Sequence, residues 1–332
     1  MFEKQKKLIT SCELKQKISL SKSLQELREE NICEIKNILA SFSEKKIIIV
    51  GPCSADDEKA VLEYVAKLLK LSQKVNKKLF IMSRIYTAKP RSRNSYKGIL
   101  HEDDDFSFGL ERQRNLHIKA FSESGIPTCD ELLYVDNFNY LDDVVSYMAV
   151  GARTVESPSH RFVASGLDVP VGMKNPINGS IDSLVNSLCV AQIPQKFVQF
   201  GFQLKTTGNK FAHSILRGGT LKSGENFSNH SKKDILELLE KYSNEKLENP
   251  ALVVDASHSN SNKNPKNQRH VIKSVTQSMS QDKSIHNFVK GFMIESYLNE
   301  GQSANEYGVS KTDSCLGFEN TERLILDIAE EL

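Results

Sequence analysis

No stretch of this 332-residue chain stays apolar for the roughly 18–20 residues that a membrane-spanning helix requires. The lysine-rich opening, residues 1–9, is not followed by an apolar run, so no leader is expected and the chain reads as a soluble, cytoplasmic protein. An excess of one charge is also missing. Lys+Arg 44 against Asp+Glu 42 offers little to draw in nucleic acid or an anionic membrane surface, and neither is expected as a partner. The cysteines, Cys12, Cys33, Cys53, Cys129, Cys189 and Cys315, include no close pair, which points to reduced thiols and not to a disulfide framework. Neither a Gly-rich dinucleotide fingerprint nor a phosphate-cradling Walker sequence follows the first strand, which tells against a doubly wound nucleotide-binding sheet.

What is present is a regular alternation of short apolar runs and amphipathic segments. Ile47, Ile48, Ile49 and Val50 predict a strand buried on both faces, stopped by Gly51-Pro52, with Cys53 at its exit. Further strands are expected over 79–84, 126–131, 151–155, 169–174, 213–217, 251–255 and 288–295. Helices are expected from Asp56 onward and over 110–124, 139–148, 161–165, 181–191, 232–242, 268–279 and 321–332. Residues 196–203 suggest a hairpin arm. The pattern predicts an α/β fold of the (β/α)8 TIM-barrel type over 46–332, preceded by a helical extension over 1–45 in which Leu24, Leu27, Ile32, Ile35 and Ile38 form an apolar stripe.

Parallel barrels place their chemistry at the C-terminal ends of the strands. Here those ends carry Cys53, Arg84, Glu131, Arg153, Lys174, Arg217, Asp255 with His258, and Glu295. Solvated loop charge explains one or two such residues but not a charged or ligating group at nearly every exit. The cations Arg84, Arg153, Lys174 and Arg217 suit a small, densely anionic substrate, such as a phosphate that also bears a carboxylate. Cys53, His258, Glu295 and Asp313 form a mixed sulfur, nitrogen and oxygen set that suits a borderline divalent metal; Mn, Fe, Co, Zn and Cu are all chemically open.

These segments also resemble a known family. Gly51-Pro52-Cys53-Ser54, Arg84 with Lys89-Pro90-Arg91-Ser92, Gly151-Ala152-Arg153-Thr154-Val155-Glu156-Ser157, Lys174-Asn175, Leu216-Arg217-Gly218-Gly219, Asp255-Ala256-Ser257-His258-Ser259-Asn260 and Glu295-Ser296 closely resemble type I 3-deoxy-D-arabino-heptulosonate 7-phosphate (DAHP) synthases of the alpha subgroup, in the family's order. The resemblance implies a transferase that condenses phosphoenolpyruvate with erythrose 4-phosphate and water, the first step of the shikimate pathway. It implies a (β/α)8 barrel, a homodimer or homotetramer, and one divalent metal ion (Mn, Fe, Co or Zn). By motif, Cys53, His258, Glu295 and Asp313 would be the metal ligands. Arg84, Glu131, Arg153, Lys174 and Arg217 would hold phosphoenolpyruvate. Lys89, Arg91, Ser92 and Asp313 would meet erythrose 4-phosphate, with Lys89 and His258 the candidate catalytic residues.

Two departures stand out against that pattern. The segment between Phe197 and Gly208 is several residues shorter than in feedback-regulated members, which calls the usual inhibition by aromatic amino acids into question. Arg93-Asn94-Ser95-Tyr96 replaces the usual Thr-Val-Gly-Trp, which keeps another aldose phosphate open as substrate. Condensation to 3-deoxy-manno-octulosonate 8-phosphate is opposed by the Lys89-Pro90-Arg91-Ser92 element, and a non-catalytic barrel by the completeness of both sets.

Overall fold

The computed structural model describes residues 1–90, 95–102, 105–199 and 201–332. In chain order the elements begin α1 (Ser11–Lys17), α2 (Lys22–Leu39), β1 (Lys46–Gly51), α3 (Glu58–Val75), β2 (Leu79–Arg84), α4 (Phe106–Ser124), β3 (Thr128–Glu131), β4 (Tyr147–Val150), α5 (Pro158–Ala164) and β5 (Val171–Lys174). They continue α6 (Ile181–Gln192), β6 (Lys196–Gln199), β7 (Phe202–Lys205), β8 (Ala212–Leu216), β9 (Gly219–Thr220), β10 (Asn226–Phe227), α7 (Lys232–Asn244), β11 (Leu252–Asp255), α8 (Gln268–Gln281), α9 (Lys283–Phe288), β12 (Val289–Tyr297), β13 (Leu316–Gly317) and α10 (Phe318–Glu331).

Strands β1, β2, β3, β4, β5, β8, β11 and β12 pair in that order, all parallel, and β1 closes the ring on β12. This is the expected (β/α)8 barrel. Alternation along β1 explains how it packs. Ile47 and Ile49 join Met82, Ile215, Val253 and Met293 in one buried cluster, while Ile48 and Val50 join Val61, Val65 and Leu68 of α3 in another. The first cluster also takes in Ile35, Ile38 and Leu39, so the end of α2 plugs the barrel where its strands begin. Antiparallel β6 and β7 form the expected hairpin, with Phe197 opposite Leu204.

Strand four lies elsewhere than expected. The strand is Tyr147–Val150, and residues 151–155 form a tight turn in which Thr154 N and Val155 N both donate to the Gly151 carbonyl, at 3.1 and 2.9 Å. The helix expected over 139–148 is a short 3-10 turn, Phe138–Tyr140, followed by turns and the strand itself. A strand buried on both faces reads as an unbroken apolar run, so the spacing of Leu141, Val144, Val145 and Met148 matched a helix equally well. The fifth strand is likewise shorter than expected, because Val169 and Pro170 lie outside it.

Candidate active site

Among the described residues, the expected site residues lie at the strand-exit end. Arg84, Glu131, Lys174 and Asp255 are the last residues of β2, β3, β5 and β11, Arg217 follows β8, and Glu295 lies within the long β12. Arg84, Lys89, Glu131, Arg153, Lys174, Arg217, His258 and Asp313 line one cavity of ≈ 110 Å³. Cys53 is fully buried and Glu295 nearly so. Arg91 and Ser92 lie outside the described residues.

Cys53 Sγ and carboxylate oxygens of Glu295 and Asp313 all fall within 4.8 Å of one another. His258 stands at the edge of this group, its Nε2 3.7 Å from Glu295 Oε1. The other ring nitrogen, Nδ1, lies 2.9 Å from Asp255 Oδ2. Burial pushes the His258 pKa down, although Asp255 and Glu295 pull the other way. Nδ1–H donation to Asp255 turns Nε2 toward Glu295, the orientation that a metal-ligating imidazole needs. Burial, reinforced by Glu295, pushes the Cys53 thiol up, so this thiol needs a cation to ionise. Burial opposes ionisation of Glu295 as well, but His258 and Arg84 more than offset it and hold the carboxyl below its ordinary value. Sulfur, imidazole nitrogen and two carboxylates fit a borderline divalent ion.

The cations are held from below. Arg84 Nη2 pairs with Glu295 Oε1 at 2.9 Å, Nη1 donates to the Pro52 carbonyl, and the guanidinium lies 3.9 Å over the Tyr86 ring. Lys89 Nζ donates to the Cys53 carbonyl at 2.8 Å, and Lys174 Nζ pairs with Asp255 Oδ2 at 2.9 Å. Arg217 is less well satisfied. Its Nη1 is buried with no hydrogen-bond partner among the described residues, and Nη2 reaches Ser259 Oγ only at 3.5 Å. Burial pulls the Arg217 pKa down and Asp255 restores it only in part. A buried guanidinium N–H that lacks a partner is what an incoming anion would satisfy.

Tyr86, Lys263 and Thr220 also contribute, and no local pattern in the sequence marks them. Tyr86 lies beneath Arg84, Lys89 and Lys174, within 6.0 Å of each cation. Lys263 and Thr220 line the cavity, and Lys263 Nζ lies 3.8 Å from Asp313 Oδ1. Asn175 Oδ1 accepts from Arg217 N, while Gly218, next in sequence, has φ +75 where a side chain would press on the Asn260 amide. That glycine lets the chain turn away immediately after Arg217.

A second cavity, ≈ 540 Å³, lies beside the β6–β7 hairpin. Phe138, Val163, Phe197 and Leu204 give it an apolar wall, and Lys15 and Asp168 stand at its edge.

The family model described as the DAHP synthetase I family matches residues 21–325. The chain is 34% identical over 342 residues to the Tyr-sensitive phospho-2-dehydro-3-deoxyheptonate aldolase of Escherichia coli (strain K12), covering 98% of this chain and 93% of that one. It is 34% identical over 325 residues to the phenylalanine-inhibited enzyme of that name from Saccharomyces cerevisiae, covering 91% and 86%. Among solved structures, the phospho-2-dehydro-3-deoxyheptonate aldolase of Francisella tularensis SCHU S4 superposes with a TM-score of 0.91 at 33% identity, covering 100% of this chain and 98% of that one. With its fold and nearly its whole length matched in this way, the chain belongs to the DAHP synthetase I family.

Proposed function

We propose that the chain performs its family's reaction through the strand-exit residues described above. The reaction joins phosphoenolpyruvate, erythrose 4-phosphate and water to give DAHP and phosphate, the first step of the shikimate pathway to aromatic amino acids. The observation that carries the residue assignment is Arg217, a buried cation with an unsatisfied donor in a cavity that also holds Arg84, Arg153 and Lys174. These cations hold the carboxylate and phosphate of phosphoenolpyruvate and aim its C3 at the aldehyde carbon. Glu131 stands beside them.

Cys53, His258, Glu295 and Asp313 would hold one divalent ion. When bound, the ion supplies a Lewis acid for the aldehyde oxygen. As C3 joins the aldehyde carbon, Lys89, fixed by the Cys53 carbonyl, gives a proton to that oxygen. Water adds to C2, and phosphate leaves with cleavage of its C–O bond. His258 serves as ligand, because an imidazole so engaged is a poor free base. Arg91, Ser92 and Asp313 belong to the aldehyde end of the site.

The same reading takes residues 1–45 as an extension to a catalytic barrel that starts at Lys46, and places the enzyme in the cytoplasm as a dimer or tetramer. Among the described residues no helix is long and apolar enough to cross a membrane. Val198 and Phe202 of the hairpin are 78% and 67% exposed, which favours self-association. A second reading concerns the hairpin cavity. Its apolar wall fits the ring of an aromatic amino acid, with Arg28 and Lys15, the latter paired with Asp142 at 2.5 Å, on hand for the carboxylate and Asp168 for the ammonium. On this reading feedback inhibition persists despite the shortened segment.

Two tests follow. Arg217→Ala should raise the KM for phosphoenolpyruvate by about tenfold to a hundredfold, the value of a hydrogen bond to a charged group. Steady-state kinetics showing an unchanged KM would remove Arg217 from the anion site. Added Phe, Tyr or Trp should slow phosphate release. Indifference to all three would leave the hairpin cavity without that role.

A further inference from the structure

A second set of buried cations lies at the other end of the barrel, where the strands begin. Lys46 opens β1 and Lys290 is the second residue of β12, and the neighbouring register pair Ile47–Gly291 sets the two side by side. They are 5% and 3% exposed. Neither ammonium has a carboxylate partner among the described residues. Lys46 Nζ donates to the His286 and Val289 carbonyls at 2.7 and 2.8 Å, and Lys290 Nζ donates to Ser41 Oγ at 2.5 Å. Both line a cavity of ≈ 390 Å³ whose rim carries Lys77 and Lys78, from the turn between α3 and β2, and His286 of α9. Glu44 is the acidic side chain among the lining residues; it is exposed, and Leu332 also reaches the cavity.

Buried lysines ordinarily pair with a carboxylate or shed their charge. Here burial holds both near the edge of ionisation, at about 8, with Lys290 adding to the pressure on Lys46. An anion seated between them would relieve the desolvation and the mutual repulsion together. Lysines act as point charges and suit a compact polyvalent oxyanion, whereas a single carboxylate would neutralise only one of the pair.

We propose that this cavity is an anion site, separate from the strand-exit site, which takes a small phosphate dianion, either free phosphate or a compact phosphomonoester, between Lys46, Lys290, Lys77 and Lys78. The space exceeds what one phosphate needs, which leaves room for the carbon portion of an ester.

The experiment is calorimetric titration of the metal-loaded full chain, saturated with phosphoenolpyruvate, using inorganic phosphate in one arm and glycerol 3-phosphate in the other. Lys290→Met should weaken the binding event at least about tenfold, and the exposed rim variant Lys78→Gln by severalfold, with the kcat of both close to that of the unaltered enzyme. Tighter binding in the first arm identifies the free ion as ligand, and tighter binding in the second identifies the ester. Because Lys78 is exposed, Lys78→Gln decides the matter if Lys290→Met misfolds. Affinity unchanged by the substitutions, or no binding event at millimolar concentrations in either arm, overturns the proposal.

Discussion

Within the site, the carboxylate of Asp255 meets Lys174 Nζ, His258 Nδ1 and the Ser257 hydroxyl. Burial alone would raise its pKa, but His258 and Lys174 override that and hold it well below the usual carboxylate range. Asp255→Asn keeps the shape and loses the charge, which frees His258 to rotate and leaves Lys174 unpaired. Metal affinity, measured by competition with a chromophoric chelator, should fall about tenfold to a hundredfold, as is typical when the group orienting a ligand is lost. A different residue governs acid stability. Burial pushes His213 down to about 4, while Tyr147 O–H donates to its Nε2 and its Nδ1–H donates to the Phe211 carbonyl. Between the ordinary histidine value of about 6.5 and this folded value, the unfolded chain binds a proton that the folded chain refuses. The stabilisation is complete above that ordinary value and falls as pH drops through the window, by about 3 kcal/mol in all. Urea melts across the window should show this slope, and His213→Gln should flatten it; a slope that survives the substitution assigns the acid lability elsewhere.

Among the elements, α2 does more than decorate the barrel. Ile35, Ile38 and Leu39 are essentially unexposed in the same cluster as the inward residues of β1 and β12. Ile38→Ala should cost about 2–5 kcal/mol, the usual range for truncating a packed isoleucine, and denaturant unfolding would measure it. A cost below about 1 kcal/mol would mean that the helix is not integral to the core. The apolar stripe over α2 was legible because its spacing repeats, but its insertion into the barrel mouth was not, since any amphipathic helix reads the same way. Strand β2 and the site residues that end strands were legible for a local reason: an apolar run stops at a charged group, as at Arg84 and Asp255. Strand β4 was not, because burial on both faces erases the period. Tyr86, Lys263 and Thr220 sit where loop paths, set by tertiary contacts, bring them over the cavity, and no local pattern marks those paths.

At the scale of the whole molecule, the barrel separates two kinds of charge. One end gathers cations around a donor group containing sulfur, nitrogen and oxygen; the other holds two buried lysines that pair with no carboxylate among the described residues. Net charge near zero hides this arrangement, since it reports the sum and not the placement. On the proposed function, the strand-exit end condenses phosphoenolpyruvate with erythrose 4-phosphate with the help of a divalent ion that Cys53 would partly hold. The most direct test is phosphate release from phosphoenolpyruvate, with and without erythrose 4-phosphate and chelator, in the unaltered chain and in Cys53→Ala. Aldehyde-dependent release that chelator abolishes and divalent metal restores is expected, together with a folded Cys53→Ala protein slowed by at least about a hundredfold, as when transition-state stabilisation by a bound metal is lost. Release that ignores chelator, or near-normal turnover in Cys53→Ala with metal bound one to one, would contradict this reading.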